Sequence, residues 1–94
     1  IMIDEGKAFI IAVKKILEIF TEDYFKSKKN MPVSHGINDN IYHLFYGFED
    51  KKSRPDLNAD WKGWTVFVTV KVDMNTGEAW FDDYILPDGT KKQK

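Results

Sequence analysis

Between residue 4 and about residue 29 the apolar side chains recur at helical spacing. At about 100° per residue, Phe9, Val13, Ile16, Leu17, Phe20 and Tyr24 share one face, and Lys7, Lys14, Lys15, Glu18, Glu22 and Lys29 share the other. Asp4 is placed to cap the N-terminus, and Glu5 stands in the first turn, where the helix dipole favours negative charge. Lys26, Lys28 and Lys29 crowd the last turn, and Asn30 with Pro32 ends it. Ile11 is expected to project from the polar side. The apolar face is wide, so the helix needs a flat partner, and a sheet is the natural one.

The next segment, MPVSHGINDN at 31–40, is rich in turn formers and reads as a connection. Residues 41–49 (IYHLFYGFE) are β-forming and aromatic, a strand. Residues 50–62 form a polar loop around Pro55, of a length that is often functional. From Gly63 onward Trp64, Val66, Val68, Val70, Val72 and Met74 alternate with Thr65, Phe67, Thr69, Lys71 and Asp73. That alternation predicts a half-buried strand over about 63–73, with Trp64 on its core side. Asn75-Thr76-Gly77 turns the chain into a return strand over about 78–86. Pro87-Asp88-Gly89 is a second turn, after which TKKQK either starts an edge strand or frays. The pattern predicts an α+β fold: one long N-terminal helix packed on an antiparallel three- to four-stranded meander, in a single domain spanning 1–94.

The hairpin admits two registers. A four-residue loop from Met74 to Gly77, with Gly77 left-handed, sets Val72 against Ala79, Val70 against Phe81 and Val66 against Ile85. A three-residue loop sets Val70 against Asp82 and drives acids toward the core. The buried face selects the first. On the opposite face it pairs Phe67 with Tyr84, Lys71 with Trp80, Thr69 with Asp82, and Asp73 with Glu78. Aromatic rings and carboxylates are thereby interleaved, and Asp83 falls opposite Val68 on the core side, an awkward place for a carboxylate.

Charge sharpens this picture. The 94 residues carry 14 lysines and arginines against 15 acids, a net charge of −1, with 43% apolar residues and no cysteine. That balance excludes a polyanion binder driven by bulk charge and a disordered tail. Without cysteine there is no disulfide framework, thiol nucleophile or Cys-type zinc site. No apolar run approaches the roughly 18 residues of a membrane span. Residues 1–20 lack the pattern of a secretory signal, so a cytoplasmic location is expected, with processing for export left open. Within residues 73–90 stand Asp73, Glu78, Asp82, Asp83 and Asp88 and no base, the one charge asymmetry of the chain.

Catalytic motifs are absent. His35 and His43 with a lysine would serve as acid, base and clamp of a ribonuclease-type reaction, but the acidic hairpin repels a phosphate backbone. His35 and Asp39 have no third partner for a metal, and residues 56–60 (DLNAD) lack the glycine and glutamate of an EF-hand loop. No cofactor and no metal are expected. Of the three tryptophans, Trp80 sits on the outer face, and Trp61 is either an exposed anchor or a lid at the helix edge. Two readings of the outer face stand side by side: ordinary cross-strand filler kept soluble by acids, or a protein-binding patch in which Phe67, Trp80, Tyr84 and Trp61 are anchors and Asp73, Glu78 and Asp82 are charged surroundings.

A long helix followed by a meander, with V-K-V-D-M-N-T-G-E-A-W at residues 70–80, resembles the small α+β domains of cystatin-like and NTF2-like type. The D-x-x-T-G-E turn is similar to that of PepSY-type domains. Such small bacterial domains include immunity proteins that neutralise partner toxins, often nucleases, in contact-dependent systems. The resemblance implies a non-enzymatic protein that binds a cognate basic toxin, without nucleic acid or membrane, with a homodimer possible. A cystatin/PepSY-type ligand- or peptide-binding accessory domain is the alternative, and a small nuclease using the two histidines comes third. The cystatin Gln-Val-Val-x-Gly loop is missing, so cysteine-protease inhibition is not implied.

Overall fold

Asp4 caps the first helix, α1 (Glu5–Leu17), by accepting the Lys7 N–H at 2.7 Å. The predicted helix over 4–29 does not run through. Its last turn tightens at Glu18–Phe20, and Thr21, whose side chain accepts the Tyr24 N–H at 3.1 Å, starts a second helix, α2 (Glu22–Ser27). Thr21 followed by Glu22 and Asp23 is a capping signal in its own right. An unbroken helix of that length would span about 39 Å, well past the end of strands of eight to ten residues. The break instead drives Phe20 inward, 1% exposed, to stack on Phe48 at 4.7 Å.

The computed structural model describes residues 3–86 and 91–92, the last two by backbone alone. After the helices come β1 (Lys29–Asn38), β2 (Ile41–Glu49), a 3-10 turn at Lys51–Ser53, β3 (Val66–Asp73), β4 (Ala79–Ile85) and the two-residue β5 (Lys91–Lys92). All neighbours are antiparallel in the order β1-β2-β3-β4-β5. The fold is thus α+β, an N-terminal helical segment laid on one face of a meander. The predicted turn at 87–89 lies outside the described residues.

Residues 31–40, read as a connection, belong to the first strand and its turn. Asp39 and Asn40 both have positive φ (52° and 62°), the two-residue reversal that short polar side chains tolerate and that matches strand twist. Pro32, Ser34 and Gly36 mask the strand in sequence, and a bulge lies between Pro32 and Ser34.

The core faces α1. Ala8, Ala12 and Ile16 lie against Val66, Val68, Val70 and Val72, each of them fully buried; the two alanines let the helix approach the sheet closely. Ile11 is half-buried against this core rather than projecting, and Ile10 and Leu17 are the exposed apolar residues of α1. Tyr42 is also fully buried, and its hydroxyl has no hydrogen-bond partner among the described residues. A buried hydroxyl without a partner costs free energy, so Tyr42→Phe is expected to raise stability by about 1 kcal/mol. A denaturant midpoint below that of wild type would refute this.

The hairpin follows the predicted register at its turn. Gly77 has φ 80°, and Val72 pairs with Ala79, Lys71 with Trp80 and Val70 with Phe81. Beyond that the ladder shifts: Val68 pairs with Tyr84 and Phe67 with Ile85, in place of the expected Phe67–Tyr84 and Val66–Ile85 pairs. The bulge lodges Asp82 and Asp83 together beside Thr69, so the residue opposite Val68 is Tyr84 and not a carboxylate. Tyr84 joins the helix side, its ring 5.5 Å from Phe81. One extra residue takes Asp83 out from opposite Val68, but its Oδ1 stays buried with no hydrogen-bond partner among the described residues.

The 50–65 connection is pinned at both ends. Asp50, 6% exposed, accepts hydrogen bonds from the Tyr24 hydroxyl (2.8 Å) and Ser53 (2.7 Å), lies 3.6 Å from the Lys28 ammonium, and donates its own N–H to Thr65 Oγ1 at 2.7 Å. Arg54 forks onto Asp56 and donates to the Thr65 carbonyl at 3.1 Å. Among the described residues no helix is long and apolar enough to cross a membrane.

Candidate functional site

Alternation sends every second residue of β2, β3 and β4 away from the helices. Pairing then assembles the outer face in rows. His43, Lys71 and Trp80 are neighbours across three strands; Ile41 lies beside Asp73, Phe45 beside Thr69, and Gly47 beside Phe67 and Ile85. Phe45 and Phe67 meet edge to face at 5.3 Å and 87°.

Trp64 belongs here too, contrary to the expectation that it is core. The regular strand begins only at Val66, and the Trp64 ring lies over Gly47: a β-carbon at residue 47 would stand 2.4 Å from Trp64 Cγ. Glycine at that position is what lets an indole lie flat on the sheet. The alternation misleads because both Thr65 and Val66 are buried, which breaks the phase just before the strand.

Among the described residues, charge on this face is arranged around Lys71. Lys71 Nζ lies 3.1 Å from Asp82 Oδ2, both side chains partly exposed. Asp73 and Glu78 stand opposite each other at the turn, the Asp73 N–H donating to the Glu78 carbonyl at 2.8 Å. Their expected repulsion is relieved because the Asp73 carboxylate turns to accept the Asn75 N–H at 2.8 Å. Glu78 is left exposed. Next to the β1–β2 turn the face dips into an open pocket of about 260 Å3, lined by Asn38, Asp39, Ile41, His43, Lys71 and Trp80.

Of the predicted binding residues, the fold gathers Phe67, Asp73, Trp80 and Asp82 on this face with Glu78 at its rim. Tyr84 is moved to the other side by the bulge. Trp61, 43% exposed, is no lid; its ring lies beside Gly63 in its own loop. Phe45, Trp64, His43 and Asp39 complete the face. Phe45 and His43 were legible, since residues 41, 43 and 45 must share the face that Tyr42 and Leu44 do not.

His35 and His43 do not converge. His35 pairs with Leu44 and Gly36 with His43, so adjacent rows send the two imidazoles to opposite sides of the sheet. His35 Nδ1 lies 3.6 Å from Glu5 and its ring 6.0 Å from that of Tyr42. Among the described residues no three His, Asp or Glu side chains are grouped as a metal site. Comparison with protein-family models, with curated proteins and with solved structures finds no match for this chain.

Proposed function

We propose that the chain is a non-enzymatic binding protein whose outer sheet face docks a basic protein partner, most concretely an immunity protein that occludes a cognate toxin domain. The observation that carries this reading is the co-location of four aromatic rings, Phe45, Trp64, Phe67 and Trp80, with Asp73, Asp82 and Glu78 on and around one face. Half-buried rings held by a sheet lose little freedom on binding and suit the centre of an interface, and carboxylates around them steer a cationic partner. The separation of the two histidines favours binding over ribonuclease-type chemistry, since no acid–base pair is formed.

The pocket bears on a second reading, a ligand- or peptide-binding accessory domain of cystatin or PepSY type. Its volume of about 260 Å3 falls below the range of roughly 300–1,000 Å3 typical of small-molecule sites. One side chain of a docked protein fits that space better than a free ligand does. The pocket therefore supports the docking reading.

Asp82 is tied to Lys71, so its replacement would also strand a lysine. Exposed Glu78 is the cleaner charge probe. With the partner captured from lysate, identified and purified, Glu78→Lys is expected to slow association several-fold and flatten its salt dependence. Trp80→Ala is expected to speed dissociation about 30-fold, the scale of an interface hot spot. If both folded variants bind with wild-type kinetics, the outer face is not the docking surface.

A further inference from the structure

The edge of the sheet carries a separate feature. Among the described residues β1 is paired on one side only, by β2. Edge strands are usually blunted by charge, proline or a bulge, because unpaired backbone groups template further pairing. In β1 the blunting is confined to the bulge at Pro32–Ser34, and no residue from Asn30 to Asn38 carries a formal charge apart from any proton on His35. Met31 (48%), Val33 (39%) and Ile37 (48%) are all exposed. α1 lies chiefly over β3, with β2 and β4 to either side, while β1 meets the helices at Asn30, which donates to the Phe25 carbonyl, and at His35, beside Glu5.

The hairpin fixes which backbone groups are available. In a two-residue reversal the closing pair, here Asn38 and Ile41, exchanges both hydrogen bonds. The pattern then alternates, so residues 38, 36 and 34 serve β2 while the N–H and C=O groups of His35 and Ile37 point outward.

We propose that β1 pairs antiparallel with β1 of a second copy of this chain, about a twofold axis at His35, joining the two meanders into one continuous sheet. Such pairing is isologous and closes after two copies. It brings the exposed Ile37 of each chain beside the Pro32–Ser34 bulge of the other and so covers that side chain at both ends of the seam. It also carries the Lys29 end of each strand toward the Asp39 turn of its mate, bringing opposite charges together twice. The outer face stays open, so self-association and partner docking are compatible and independent.

The absence of cysteine makes the test clean. A single cysteine at the exposed His35 should cross-link two copies on mild oxidation, whereas Lys52→Cys, in the 3-10 turn away from this edge, should not. Sedimentation equilibrium of the unmodified chain should show a reversible monomer–dimer equilibrium, weakened at least tenfold by Ile37→Lys and several-fold by Lys29→Glu. A chain that stays monomeric to its solubility limit overturns the proposal. So does a dimer that neither cross-links through His35→Cys nor responds to the two lysine-bearing and charge-reversing changes. Should Ile37→Lys fail to fold, the exposed Lys29 and His35 variants decide the matter alone.

Discussion

Replacing Asp50 by alanine is expected to cost about 3 kcal/mol, the scale of losing two hydrogen bonds to a buried charged carboxylate. Asp50 joins four pieces of the fold: Tyr24 and Lys28 in and after α2, Ser53 in the 3-10 turn, and Thr65 at the entrance to β3. Alanine would leave the Tyr24 and Ser53 hydroxyls without their acceptor, whereas the Lys28 ammonium, on a 30% exposed side chain, can turn to water. In a chain of this length such a loss lowers the melting temperature by roughly 10–20 °C. The effect also carries a pH signature. Burial pushes the Asp50 carboxyl up, but the hydrogen bonds from Ser53 and Tyr24 and the Lys28 charge outweigh it and hold the group below its ordinary value. A carboxyl depressed in the folded state contributes its full stabilisation above the unfolded value of about 3.9 and loses it as pH falls through the folded one. The gap in stability between wild type and Asp50→Asn should therefore be constant near neutrality and close on acidification. A gap that widens as pH falls would show that Asp50 is not held in its charged form.

Tyr24 is the other half of that network. Its hydroxyl is pushed above its ordinary range by burial and by the adjacent Asp50 carboxylate, so it acts as a hydrogen-bond donor at any working pH. This is a structural assembly. Each carboxylate oxygen of Asp50 faces a donor or a cation, and the cluster lies on the helix side, away from the aromatic face.

What the sequence made legible follows from how many independent signals each element carries. β3 and its turn are readable because alternation, β-branched residues and Gly77 agree, and the register next to the turn is the one the buried face demands. β1 is hidden because Pro32, Ser34 and Gly36 are turn residues by type, and only the tight Asp39-Asn40 reversal betrays a hairpin. The helix break is hidden for the opposite reason. Phe20 and Tyr24 keep the apolar period across Thr21, so the period alone cannot separate one helix from two that share a face. The β4 bulge is signalled only by a contradiction, Asp83 opposite Val68, that a regular ladder cannot remove. On the outer face, the bulge takes Tyr84 to the helix side, and the burial of both Thr65 and Val66 puts Trp64 out of the phase that the alternation predicts.

Gly47→Ala tests the outer face without touching any of its charged groups. Gly47 is buried, and a methyl there would stand 2.4 Å from Trp64 Cγ and 2.8 Å from its Cβ and Cδ2. These atoms are the root of the side chain, so no rotation of a flexible end relieves the clash; either the strand entrance shifts or the indole leaves the sheet. Overpacking of this kind costs about 1–3 kcal/mol. In a Trp61→Phe, Trp80→Phe background, which leaves Trp64 as the single indole, loss of the seat should move its emission to longer wavelength together with the drop in denaturant midpoint. The comparison with Asp50→Ala then separates stability from docking. Both changes weaken the fold, but only Gly47→Ala disturbs the aromatic surface, so at a temperature where both proteins remain folded it alone should weaken partner binding. Equal binding by the two would mean that Trp64 packs against the sheet without contributing to the contact, and the docking surface would shrink to the Trp80, Lys71 and Asp82 end of the face.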